Sequence, residues 1–198
     1  PGRKINLLPG PVDIAPEVHE ALAALTISHR SAEFLDLHRR TRAALARLVR
    51  ARDCAIVLGS GTLANDMVAA QLALLPGRGL VLANGEFGER LIDHATRMRL
   101  PFESLVLPWG EAFDPAAIRR RLDETRDCSW VWAVHAETST GMLNDTAMLG
   151  QLCRERGLRL SLDCISAIGA TPVDLTGVHL ASGVSGKGLG GFTGLGLV

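Results

Sequence analysis

The sequence predicts an α/β fold built on a mainly parallel β-sheet with helices on both faces. Two observations carry this. Short, unbroken apolar runs such as CAIVL, GLVLA, FESLVL, WVWAV and LRLSLD recur along the chain, and continuous apolarity marks strands buried on both sides. Between them lie longer segments whose apolar residues return at helical spacing, and strands that alternate with helices pair in parallel through crossovers. At 198 residues, 47 % hydrophobic and 21 % charged, the chain is long enough to bury one core.

Each element follows from its local pattern. Pro16 opens a short helix over 17–24, since proline is preset for a first helical turn. Ser31 caps a longer helix with an apolar stripe of Phe34, Leu37, Thr41, Leu45 and Leu48. CAIVL (54–58) is a buried strand, and GSGT leads from it into a helix through LANDMVAAQLALL. GLVLA (79–83) is the next strand, with NGEFG as a loop before a helix over 89–98. FESLVL (102–107) precedes a helix that starts near Asp114. WVWAV (130–134) runs into HAETSTG and a helix through MLGQLCRER, and LRLSLD (158–163) follows. The final HLASGVSGKGLGGFTGLGLV reads as two strands near 180–183 and 194–198 around a glycine-rich loop. No repeat or domain boundary interrupts this order.

Composition narrows the function. Lys plus Arg equals Asp plus Glu at 21 each, so no net charge draws the chain to nucleic acid or an anionic membrane. The arginines of RRTRAALARLVRAR spread around a helix and form a solvated face. Cys54, Cys128, Cys153 and Cys164 have no metal-ligand spacing and read as reduced thiols; Cys54 and Cys164 fall in apolar strand-like runs. No signal peptide opens the sequence and no apolar run reaches membrane-span length, so a cytoplasmic protein is expected. A start at Pro1 and an end inside an apolar run suggest a portion of a longer protein.

In an open α/β sheet, ligands bind beyond the carboxyl ends of the strands. After the first strand come Gly59, Ser60, Gly61 and Thr62 at a helix start. Backbone N–H groups, two hydroxyls and the helix dipole there suit a phosphate, although a plain capped turn reads the same way. The Lys-Ser/Thr ending of a Walker motif is missing. Phe87 stands between glycines, either as a flat face or as a core plug. His135 and Glu137 sit among more hydroxyls than one helix cap needs. Asp163 ends a buried strand, where a carboxylate is costly unless it is paired or hydrogen-bonded. Lys187 lies among six glycines with no other charge in VSGKGLGGFTGLGLV. An anion cradle, a flat ring, hydroxyls, a buried acid and an isolated amine together match the requirements of pyridoxal phosphate.

The blocks LLPGPVDIAPEVHEAL with ISHRSAEF, then GSGTLAND, NGEFGER, HAETSTG, LDCISAIGATPVDL and SGKGLGG stand in a telling order. Over essentially its whole length the chain resembles the class V aminotransferases of fold type I, most closely the alanine–glyoxylate and serine–pyruvate group. The resemblance implies that residues 1–198 form the cofactor-binding large domain, three layers α/β/α, with one antiparallel strand near the C-terminal end. The family's smaller C-terminal domain would be absent from this chain. By position, Lys187 would form the Schiff base and act in catalysis with Asp163, which sits beside the pyridine nitrogen. Phe87 would stack on the ring and Ile165 would pack on its other face. Ser60, Gly61 and Thr62 would hold the phosphate with help from Ser185, and Thr138 would reach O3′. The implied activity moves an amino group from alanine, serine or a similar donor to glyoxylate or pyruvate, in a homodimer. The PGPV opening and the HR-x-x-EF pattern are shared with 2-aminoethylphosphonate–pyruvate transaminases, which leaves that activity open. So does a truncated, non-catalytic fragment that keeps only the cofactor domain.

Overall fold

The computed structural model describes residues 5–24 and 26–198. In chain order the elements are α1 (Pro16–Leu22), α2 (Ala32–Leu48), β1 (Ile56–Leu58), α3 (Gly61–Leu72), β2 (Arg78–Ala83), α4 (Glu86–Arg97), β3 (Phe102–Val106) and α5 (Pro115–Glu124). They continue with β4 (Cys128–Val134), β5 (Ala136–Glu137), β6 (Met142–Leu143), α6 (Thr146–Glu155), β7 (Arg159–Asp163), β8 (Leu180–Val184) and β9 (Leu195–Leu197). Seven strands form one sheet in the order β1-β9-β8-β7-β4-β2-β3, and β5 and β6 make a separate hairpin. β9 is antiparallel to both its neighbours, while β3, β2, β4, β7 and β8 pair in parallel. The lone antiparallel strand near the C-terminal end is the one that the resemblance implied.

Strand side chains alternate between two apolar layers, so the continuous apolar runs have a physical cause. Leu80, Leu82, Val131, Ala133, Leu160 and Leu162 face Ile118, Leu122, Leu149 and Leu152 of α5 and α6. Val81, Trp130, Trp132 and Val134 face Val68, Ala69, Leu72, Leu91 and Ala95 of α3 and α4. Trp130 fits because its register partner is Gly79: a Cβ there would fall 2.2 Å from the indole ring.

Local boundaries differ from expectation in four places. Ser31 does cap α2, its Oγ accepting from Phe34 N at 3.2 Å. The predicted stripe nevertheless misses the core: Leu37 and Leu48 are 46 % and 56 % exposed, whereas Ala46 and Val49 are buried. The helix is turned by Arg42, whose Nε donates to Cys54 O at 2.7 Å. The first strand shortens to Ile56–Leu58, leaving Cys54 ahead of it, while Cys164 lies just past β7. NGEFG is no loop, since α4 begins at Glu86. The cap of α6 is Asp145, whose Oδ1 accepts from Met148 N at 2.9 Å, and the HAETSTG hydroxyls sit in the β5–β6 hairpin instead. All four cysteines are free. Among the described residues no helix is long and apolar enough to cross a membrane.

Candidate active site

The carboxyl ends of β1, β2, β4, β7 and β8 meet around a cavity of about 470 Å³. Ser60, Gly61, Thr62, Phe87, Asp163, Ile165 and Lys187, separated by up to 127 positions in sequence (187 minus 60), all line it. Ser60 caps α3, its Oγ accepting from Leu63 N at 3.3 Å. The N–H groups of Gly61 and Thr62 meet no acceptor among the described residues, and they stand at the positive end of the helix dipole. A Cβ at Gly61 would come 2.8 Å from Ile165 Cδ1, so glycine lets Ile165 close against the start of α3.

Asp163 is 4 % exposed. Its Oδ1 accepts from Ile165 N at 2.9 Å and its Oδ2 from Asn65 Nδ2 at 2.8 Å. Burial pushes the carboxyl above its ordinary range. The two hydrogen bonds and the Lys187 charge oppose that rise, and the Glu137 charge adds to it. Among the described residues no cation is in salt-bridge contact with it, so neither a helix cap nor an internal ion pair accounts for this acid. A buried carboxylate facing a cavity without a paired cation suits a positively charged ring N–H.

Lys187 Nζ donates to Ser166 Oγ at 3.3 Å and lies 5.6 Å from the centre of the Phe87 ring. The glycines around it serve the protein's own backbone: a Cβ at Gly188 would lie 2.6 Å from Ile168 O and Ala170 N. Two predicted residues stand back from the cavity wall. Thr138 lines an adjacent hollow and connects through Ser166, to which its Oγ1 donates at 2.7 Å. Ser185 turns its hydroxyl into the glycine loop, donating to Phe192 O at 2.5 Å.

Phe87 is placed by a residue from another element. Glu137, fully buried at the end of β5, accepts from Phe87 N (3.3 Å) and Ser139 Oγ (2.6 Å) at Oε1, and from Gly88 N (3.0 Å) at Oε2. It thus caps α4 from across the sheet and starts the helix three residues before the predicted position. Gly85 makes room, since a Cβ there would sit 2.5 Å from Glu137 Cγ. The sequence held a hint: α4 has no Ser, Thr, Asp or Asn at its own N-cap. Glu137→Ala is expected to leave buried N–H donors unpaired and to cost about 2–4 kcal/mol, read as a fall of roughly 4–16 °C in Tm. Asn65, Ser166 and Arg90 also face the cavity without having been singled out from sequence. Arg90 lies 5.0 Å over the Phe87 ring, with its Nε on Glu86 Oε1 at 2.8 Å.

The family model for Aminotransferase class-V matches residues 15–198. A 2-aminoethylphosphonate–pyruvate transaminase of Burkholderia ambifaria is 34 % identical over 97 % of this chain and 52 % of its own length. The crystal structure of an alanine–glyoxylate aminotransferase from Nostoc sp. superposes with a TM-score of 0.88 at 34 % identity, covering 96 % of this chain and 51 % of that one. A pyridoxamine–pyruvate aminotransferase from Mesorhizobium loti superposes with a TM-score of 0.90 at 25 % identity, over 98 % and 50 % of the two chains. The chain therefore spans about half the length of the relatives it matches. Class V aminotransferases of this type use pyridoxal phosphate. By its sequence over residues 15–198 and by its fold, the chain belongs to the class V aminotransferase family.

Proposed function

We propose that the protein moves an amino group from a small donor such as alanine or serine to glyoxylate or pyruvate, with pyridoxal phosphate bound in the 470 Å³ cavity. The observation that carries this reading is the joint placement of Lys187, the buried Asp163 and the free N-terminal amides of α3 on one wall. When bound, the cofactor supplies an aldehyde that takes up the amino group and a pyridine ring that accepts the electron pair released at the substrate Cα. Gly61 and Thr62 N–H, with the Ser60 and Thr62 hydroxyls, would bind the phosphate. An ionised Asp163 would hold a proton on the ring nitrogen. Phe87 and Ile165 would fix the ring plane from opposite sides. The Lys187 amine would anchor the cofactor and, when released, carry the proton from the substrate Cα, with Ser166 orienting Nζ. The assembly we propose is a homodimer.

A second substrate reading rests on Arg90. Its guanidinium stands at the cavity over Phe87. Among the described residues only its Nε makes a hydrogen bond, to Glu86, and a phosphonate is a good partner for the remaining N–H donors. The relatives named as 2-aminoethylphosphonate–pyruvate transaminases favour the same choice.

Lys4 and Lys187 are the only lysines in the sequence, which makes the chemical test clean. After incubation with pyridoxal phosphate and borohydride reduction, the pyridoxyl mass is expected on the Lys187 peptide. Label confined to Lys4 or the terminal amine overturns the cofactor site. Turnover is then compared for alanine or serine with glyoxylate, and for 2-aminoethylphosphonate with pyruvate. A preference of about tenfold or more in kcat/KM assigns the donor.

A further inference from the structure

We infer that Asn65, held in one orientation by the Ser182 hydroxyl, is a positioning residue that keeps Asp163 ionised and aimed into the cavity. The inference rests on the proposed pairing of Asp163 with the ring nitrogen. Three elements build the relay. Asp163 ends β7, Ser182 is its register partner on β8, and Asn65 reaches both from α3. All three are buried, at 4 %, 0 % and 5 % exposure respectively. Ser182 Oγ donates to Asn65 Oδ1 at 2.6 Å, and Asn65 Nδ2 donates to Asp163 Oδ2 at 2.8 Å. The opposite amide orientation would set a carbonyl oxygen against a carboxylate, so the hydroxyl donor and the negative charge select the same one.

Folding alone does not call for asparagine here. The neighbouring inward positions of α3 are Ala64, Val68, Ala69 and Leu72, and an apolar residue would fit that face. A buried amide among them is compensated only by the two partners it meets. The same helix offers the amides of Gly61 and Thr62 at its first turn. One rigid element thus sets the anion cradle and, a turn later, the orientation of the acid.

The groups around Asp163 leave a clear window for testing this. Lys187 faces it from the β8–β9 loop, Glu137 from the hairpin and Cys164 from the next position; His135 directly follows the neighbouring strand β4, its N–H donating to Asp163 O. Burial drives the Cys164 thiol up and the His135 imidazole down, so both are neutral near pH 7. The experiment follows the Asp163 side-chain carbon by 13C NMR across pH, in the cofactor-free protein and in Asn65→Leu, Asn65→Asp and Ser182→Ala. The midpoint is expected to rise by about one pH unit or more in Asn65→Leu, and by less in Ser182→Ala. Asn65→Asp keeps the side-chain shape and sets two carboxylates together, so it should give the largest rise. Because that rise would come from the added charge alone, Ser182→Ala carries the test if Asn65→Leu does not fold.

Pyridoxal phosphate affinity is then measured one pH unit below and two units above the midpoint found for Asn65→Leu. A raised carboxyl loses its charge first at the lower pH, so the affinity of Asn65→Leu relative to the parent should fall about tenfold more at the lower pH than at the higher. An unchanged midpoint in Asn65→Leu, or in Ser182→Ala where Asn65→Leu does not fold, or an affinity loss independent of pH, overturns the inference. A shifted midpoint in a protein that binds no cofactor would uphold the relay and overturn the proposed function alone.

Discussion

Lys187→Ala is expected to lower amino transfer by about a thousandfold or more, the order of effect that follows loss of a positioned proton carrier that is also the nucleophile. Among the described residues no other side-chain amine lies at the cavity, and the Arg90 guanidinium cannot take its place, because arginine stays protonated at any working pH. The fold should tolerate the change. The side chain makes one hydrogen bond, to Ser166, while the loop is held by backbone bonds from Gly190 N to Lys187 O, Gly191 N to Ser185 O and Ser185 N to Leu195 O. Tm should therefore stay within about 2 °C of the parent. Lys187→Arg should keep the charge and remain inactive. A small primary amine added to Lys187→Ala should restore part of the turnover, because it supplies the missing base without the tether. Residual activity within tenfold of the parent would rule out the assigned role.

The parts of the molecule legible in its sequence are those that rest on local pattern. Strands buried on both faces need unbroken apolar runs, and the observed β2, β4 and β7 fall on GLVLA, WVWAV and LRLSLD. The residues just after those strands converge on one cavity because parallel strands end on the same edge. What stayed hidden depends on contacts between distant segments. Glu137 sets the start of α4 through hydrogen bonds spanning about fifty positions, and no local rule for helix starts reports them. Asn65 looks like one polar interruption in a helix until β7 and β8 are placed beside it. The apolar stripe on α2 obeyed its period but not its direction, because Arg42 binds Cys54 O and turns another face inward. The glycines around Lys187 invited a reading in terms of ligand approach, whereas its two neighbours make room for the protein itself, Gly188 for the backbone at 168–170 and Gly186 for Thr193.

Asp163→Asn should separate function from stability at a single buried site. With its carboxyl raised by burial, Asp163 and its unfolded counterpart are both protonated at low pH and contribute nothing there. As pH rises past the ordinary carboxyl range, near 3.9, the unfolded chain ionises more readily than the folded one, and stability falls. At neutral pH the cofactor-free protein therefore carries the burden of a buried acid. Asparagine, the same size and without charge, removes that pH-dependent burden, while its NH2 replaces one of two acceptors and faces Ile165 N or Asn65 Nδ2 donor to donor, a cost that does not vary with pH. Relative to the parent, the variant is expected to gain about 1–2 kcal/mol between pH 3 and pH 7, seen as a relative rise of roughly 2–8 °C in Tm. Turnover should move the other way, falling about a hundred- to a thousandfold, because the ring nitrogen loses the anion that holds its proton. Saturating pyridoxal phosphate should offset that relative gain at pH 7, since it binds the folded parent more tightly and stabilises it by mass action. Thermal scans at both pH values, with and without cofactor, check every sign. A variant whose stability relative to the parent did not rise from pH 3 to pH 7 without cofactor would mean that the ionised Asp163 supports the fold, and its burial against Asn65 would then need no partner in the cavity.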